Sequence, residues 1–184
     1  MNGIMSGRLY AVVGPSGVGK DTLMAEVASR LPVRLVRRVI TRPASAGGED
    51  FDGVSEARFA EMSSGGAFAL EWRAHGLRYG VPAGVEAQLG AGEVLLCNLS
   101  RAVLPQAAAR FPGLEVLHIT ARPEVLAERL AGRGRESEGE IAGRLARAGF
   151  ALPEVDAPVH EIDNSGPVED AVAAIAALVQ PVSL

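Results

Sequence analysis

The run Gly14-Pro15-Ser16-Gly17-Val18-Gly19-Lys20-Asp21-Thr22 follows an apolar stretch, Leu9-Tyr10-Ala11-Val12-Val13, and precedes a helix-patterned one at residues 23–31. A buried strand, a glycine-rich turn, a lysine and a helix in that order leave few folds open. The glycines let consecutive backbone N–H groups face one anion, and the helix dipole behind them adds positive potential. The match to G-x-x-x-x-G-K is complete, so the stretch reads as a phosphate loop whose Lys20 reaches the β- and γ-phosphates of a nucleotide. Asp21 stands where such loops usually place a serine or threonine hydroxyl on magnesium.

With 184 residues, 48% hydrophobic and 22% charged, the chain suits one globular domain with a sizeable core. A net charge of -4 excludes nucleic acid or a membrane surface held by bulk charge, and leaves room for a small anion bound by local arginines. The single cysteine, Cys97, excludes an internal disulfide and reads as a small core residue. The apolar segments are too short to span a bilayer, and residues 1–7 lack the pattern of a signal peptide, so a cytoplasmic protein is expected.

Residues 8–13 form a continuous apolar run, as in strands of a parallel sheet covered on both faces. A helix is expected over 22–30 and a second strand over 33–40, leading into a polar, glycine-rich loop at 41–50 suited to ligand binding. Ser55 is an N-cap candidate, with Val54 and Phe59 placed as a hydrophobic staple, so 56–62 should be a short helix. Residues 68–72 and 77–81, joined by a turn at His75-Gly76, read as a hairpin. Helix (82–89), strand (94–99), helix (106–111), strand (114–120), helices (124–130 and 138–148), strand (158–162) and helix (168–179) follow. There is no internal repeat and no linker.

This rhythm, opened by a phosphate loop, gives a doubly wound α/β fold, a parallel sheet with its site at the carboxyl ends of the strands. The core is expected at residues 7–40 and 92–184, with a small inserted acceptor-binding hairpin region at about 41–91. Arg133, Arg135 and Arg144 lie on or beside a glycine-broken segment, the composition of a mobile lid at about 132–138 closing over a triphosphate. His75, His118 and His160 are isolated in sequence and read as structural or surface residues.

In chain order, the phosphate loop, Thr41-Arg42-Pro43, Gly48-Glu49, Tyr79-Gly80, Arg133-Gly134-Arg135 and Asn164 resemble the guanylate kinase family along nearly the whole chain. The longer strings Ile40-Thr41-Arg42-Pro43-Ala44, Gly76-Leu77-Arg78-Tyr79-Gly80-Val81-Pro82 and Ser100-Arg101-Ala102-Val103-Leu104-Pro105-Gln106-Ala107 are similar to the branch of that family that phosphorylates ribose 1,5-bisphosphate in phosphonate utilisation. Glu71 matches a guanine-reading glutamate. The other two base-reading positions depart: a serine is here Arg38, and an Asp-x-Asp strand end is here Asn98-Leu99-Ser100. An extra cation at Arg38 suits an acceptor carrying a second phosphate.

The resemblance implies ATP as phosphoryl donor, Mg²⁺, and a small phosphosugar acceptor. Gly14, Pro15, Ser16, Gly17, Val18, Gly19, Lys20, Asp21, Thr22 and Asn164 would hold the nucleotide. Arg133 and Arg135 would neutralise the transferring group, with Arg144 in support. Arg42 and Tyr79 would hold the acceptor phosphate, with Arg38, Glu71 and Ser100 also on the acceptor side. The metal falls to Asp21 or Thr22. Two alternatives stand beside this reading: a nucleoside monophosphate kinase of guanylate type, and a noncatalytic guanylate-kinase-like module, which the intact loop and Lys20 disfavour.

Overall fold

The structure, a computed structural model, describes residues 7–46, 49–132, 134, 137, 139–141, 143, 145 and 151–179. The apolar run becomes β1 (Arg8–Val13), in which every residue from Leu9 to Val13 is buried. It is the middle strand of a five-stranded sheet in the order β2-β7-β1-β8-β9, formed with Val33–Leu35, Val94–Asn98, Glu115–Thr120 and Val159–Asp163. All the pairings in it are parallel. Strand alternation splits β1 between two cores. Leu9, Ala11 and Val13 pack with Leu95, Cys97, Leu104 and Val116, whereas Tyr10 and Val12 pack with Leu23, Val27, Leu117 and Ile175. The second core holds helices α1 (Lys20–Arg30) and the chain's last described helix, Val168–Val179, against one face.

The expected strand over 33–40 is two strands in two sheets. Val33–Leu35 forms β2 at the edge of the parallel sheet, and Val36 donates one further bond to the Leu96 carbonyl at 2.8 Å. The chain then leaves. Arg37 is paired with Asp50 and Asp52 on the returning loop, and β3 (Val39–Ile40) joins a second sheet in the order β4-β3-β6-β5. Its other strands are β4 (Asp52–Gly53), β5 (Phe68–Ala74) and β6 (Leu77–Pro82). The hairpin is therefore half of a four-stranded sheet. His75 and Gly76 take φ of 51° and 74°, the paired left-handed geometry whose twist matches a two-residue hairpin.

Ser55 caps α2 (Glu56–Ser64) by accepting from the Arg58 backbone N–H at 3.1 Å, and the helix runs two residues past the expected end. The remaining helices are α3 (Gly84–Gly90), α4 (Leu104–Arg110), α5 (Pro123–Gly132) and α6 (Val168–Val179). Of the helix expected over 138–148, the described residues 139–141, 143 and 145 are helical. Ser137 starts it: its hydroxyl accepts from the Glu140 N–H at 3.3 Å, while Glu140 accepts from the Ser137 N–H at 2.7 Å, a reciprocal capping box.

Candidate active site

The phosphate loop leaves β1 at Gly14, where a Cβ would lie 2.5 Å from the Ile119 carbonyl oxygen, so only glycine fits between the strands. Gly19, with φ of 93°, is the N-cap of α1 and offers no side-chain cap, leaving first-turn N–H groups for an anion. Lys20 curls back over the loop and donates to the carbonyls of Gly14 at 2.7 Å and Pro15 at 3.4 Å. Burial pushes its pKa down to about 8, Arg38 and Arg101 push the same way, and Asp21 opposes them. Asp21 and Thr22 lie exposed on the first turn of α1.

The loop is fastened from behind. Asn164 donates through its side chain to the Val18 carbonyl at 2.9 Å and through its backbone to Thr120 at 2.7 Å. Arg129, from α5, donates to the carbonyls of Val18 at 3.1 Å and Asn164 at 2.7 Å. Asn164 Oδ1 is buried and has no hydrogen-bond donor among the described residues. Gly17, Gly19, Thr22, Arg129, Asn164, Gly166 and Val168 line a cavity of about 320 Å³ on this side.

A larger cavity, of about 520 Å³, opens on the other side of the loop. Gly14, Pro15, Ser16 and Lys20 form one wall, Asn98 to Arg101 at the end of β7 a second, and Arg38, Arg42, Trp72, Ala74, His75 and Tyr79 a third. Trp72 and Tyr79 sit opposite each other in the β5–β6 register and stack at 5.3 Å with 6° between their planes. Arg38 is 5% exposed, and its guanidinium lies 5.2 Å from the Tyr79 ring centre and 6.0 Å from that of Trp72. Arg42 lies 4.4 Å over the Phe51 ring. Among the described residues, the cavity lining carries Lys20, Arg38, Arg42 and Arg101, and no carboxylate.

Most of the residues singled out in the sequence meet around these two cavities, with two corrections, at Arg38 and Glu71. Arg38 is not a lone extra cation, because its Nε and one terminal nitrogen donate to the two carboxylate oxygens of Glu49, which offsets its charge. Glu71 does not face the larger cavity. Strand alternation sends Leu70, Trp72 and Ala74 one way and Glu71 the other, where its carboxylate accepts from the Ser63 hydroxyl at 2.7 Å and lies 3.6 Å from Arg78. Val18 is fully buried and serves the loop through its carbonyl. Arg133, Arg135 and Arg144 lie outside the described residues.

Arg101, Glu49, Arg129 and Trp72 took no site role in the sequence reading. Arg101 sat beside Ser100, but its direction depends on the tight turn Arg101–Val103 after β7. Arg129 lies on α5, whose loop-facing side the helical period alone does not mark.

No family model matches the sequence. Among solved structures, a guanylate kinase from Anaplasma phagocytophilum superposes with a TM-score of 0.64 over 93% of this chain and 82% of that one, at 17% identity. A sugar kinase from Janibacter sp. gives 0.56 over 95% of both chains, at 18% identity. Both share the fold. Among curated proteins, the ribose 1,5-bisphosphate phosphokinase PhnN of Ruegeria sp. (strain TM1040) is 54% identical over 95% of this chain and 92% of its own length. Those of Agrobacterium fabrum and Pseudomonas paraeruginosa are 49% and 44% identical over 89% and 94% of this chain, and over 91% and 95% of their own lengths. Identity near half of all positions, sustained along almost the full length of each relative, is far more than a shared fold requires, and the chain belongs to the ribose 1,5-bisphosphate phosphokinase family.

Proposed function

We propose that the protein transfers the γ-phosphoryl group of ATP to the 1-phosphate of ribose 1,5-bisphosphate, giving phosphoribosyl diphosphate and ADP, as a cytoplasmic step of phosphonate use. The observation that carries this reading is the larger cavity: a phosphate loop and four basic side chains, one of them paired with Glu49, line it with no carboxylate among the described lining residues, on a chain whose net charge is -4. An acceptor with two phosphates suits such a wall, and Trp72 with Tyr79 offers a flat apolar face to a sugar ring.

In this reading Lys20 and the N–H groups of the loop hold the donor phosphates, while Arg42 and Tyr79 hold the attacking phosphate. The smaller cavity takes the rest of the nucleotide, with Asn164 Oδ1 free to accept from a base amino group. An oxygen of the 1-phosphate forms a bond to the γ-phosphorus as the bond to the β,γ-bridging oxygen breaks, and ADP leaves with the electron pair. The attacking group is already a dianion near pH 7, since a phosphate monoester has a second pKa of about 6. The charges balance without a proton transfer, so no general base is required. Arg133, Arg135 and Arg144 neutralise the transferring group.

Magnesium fits the donor set. Asp21 and Thr22 offer one carboxylate and one hydroxyl side by side, and no cluster of three His, Cys, Asp or Glu occurs among the described residues. Few protein ligands, all hard oxygens, suit an ion held chiefly by phosphates and water, whose contribution here is to neutralise phosphate charge. The test is a product assay with ATP against ribose 1,5-bisphosphate, ribose 5-phosphate and GMP. Phosphoribosyl diphosphate should form with by far the highest kcat/KM. Faster formation of GDP from GMP would make the protein a nucleoside monophosphate kinase instead.

A further inference from the structure

We propose that Arg101 is a specificity-determining residue that, with Arg38, binds the second phosphate of the acceptor, the one that takes no part in the transfer. The inference rests on the acceptor proposed above and assigns a place within its site. Sheet order supplies the geometry. In β2-β7-β1, Leu35 stands level with Leu96, and Val12 stands level with Asn98. Arg38 and Arg101 each follow their strand by three residues, so they leave neighbouring strands at the same, carboxyl edge. Both line the larger cavity, with β7 lying between β2 and the strand that carries the phosphate loop.

The charges point the same way. Glu49 offsets the guanidinium of Arg38, so the pair as a unit brings little net charge to a dianion. Arg101 brings a second guanidinium to the cavity wall, and its field reaches Lys20, where it reinforces the effect of burial. Arg42 reaches the cavity from past the end of β3, beside Phe51, and takes the attacking phosphate in the reading above. In this assignment the two phosphates of one ribose are held by different arginines of one cavity, Arg42 for the first and Arg38 with Arg101 for the second. Arginine suits this role because its planar fork binds phosphate oxygens two at a time.

The test measures binding of three ligands by calorimetry to the parent protein, Arg101→Ala and Arg101→Lys. Ribose 1-phosphate carries only the attacking phosphate, ribose 5-phosphate only the second one, and ribose 1,5-bisphosphate both. Arg101→Ala should weaken the bisphosphate and ribose 5-phosphate by about ten- to a hundredfold and leave ribose 1-phosphate within about twofold. Arg101→Lys should recover part of the loss. The unchanged ribose 1-phosphate affinity also reports an intact fold. Equal weakening of all three ligands, selective loss of ribose 1-phosphate, or no weakening overturns the assignment. Failure of the parent protein to turn over ribose 1,5-bisphosphate refutes the proposed function itself, and is told apart because it needs no variant.

Discussion

Lys20 is held in the fold at the expense of stability, and Lys20→Met should expose that. Methionine keeps the apolar stem and removes the charge. Burial brings the ammonium from its ordinary 10.5 down to about 8. That difference corresponds to about 3 kcal/mol of unfavourable free energy for the charged form in the folded state. Against it stand the bonds to the carbonyls of Gly14 and Pro15, at 2.7 and 3.4 Å. Bonds from a charged donor contribute roughly 1.5–3 kcal/mol, and the freed carbonyls regain water. At pH 7 the variant should therefore equal the parent or exceed it by up to about 2 kcal/mol. The folded pKa lies below the unfolded one, so between about 8 and 10.5 the unfolded parent binds more protons and the parent gains stability as pH rises. Urea unfolding at pH 7 and pH 10 should thus show the variant losing ground to the parent by about 2–3 kcal/mol. Turnover should fall by roughly 10²–10³, as for loss of one preorganised charge-stabilising donor. Parallel stability curves for the two proteins would falsify the burial argument, and turnover within about tenfold of the parent would remove Lys20 from the donor site.

The same lowered pKa predicts that kcat/KM for ATP falls as pH rises through about 8, because the free protein then loses the Lys20 charge. At saturating ATP the fall should move to higher pH, since bound phosphates favour the charged lysine; a flat profile from neutrality upward contradicts this. Asn164→Ala removes one of the two donors on the Val18 carbonyl, at 2.9 Å, and leaves Arg129 at 3.1 Å, so it should raise the KM for ATP and lower stability by about 0.5–1.5 kcal/mol, read from initial rates and urea melts. Gly80→Ala places a Cβ 2.5 Å from the Phe68 ring, which stacks on Phe59 at 4.6 Å, and should destabilise by roughly 1–3 kcal/mol in thermal melts. Arg135→Ala should lower kcat more than it raises the KM for ATP, as expected for a contact made chiefly in the transition state; steady-state kinetics decide it.

What the sequence determined alone was local. The order strand, glycine turn, lysine and helix is a continuous stretch of chain, so the phosphate loop and α1 were legible from it, as were the Ser55 cap and the last helix, Val168–Val179. Apolar runs marked the buried parallel strands because both of their faces are covered. What only the tertiary structure decided was where side chains point and which charges meet. Residues 33–40 read as one strand until Arg37 paired with Asp50 and Asp52 and drew the chain into a second sheet. Arg38 read as a cation to spare until Glu49 folded back onto it. Glu71 and Trp72 are neighbours in sequence, yet strand alternation and the β5–β6 register put them on opposite faces, and only Trp72 lines the cavity. Arg101 enters the sequence reading only within the string Ser100 to Ala107 and takes no site role there, because a single arginine after a strand has no period. Its place between Arg38 and the phosphate loop comes from the sheet order β2-β7-β1, which brings together residues 12, 35 and 98 and which no local pattern of residues encodes.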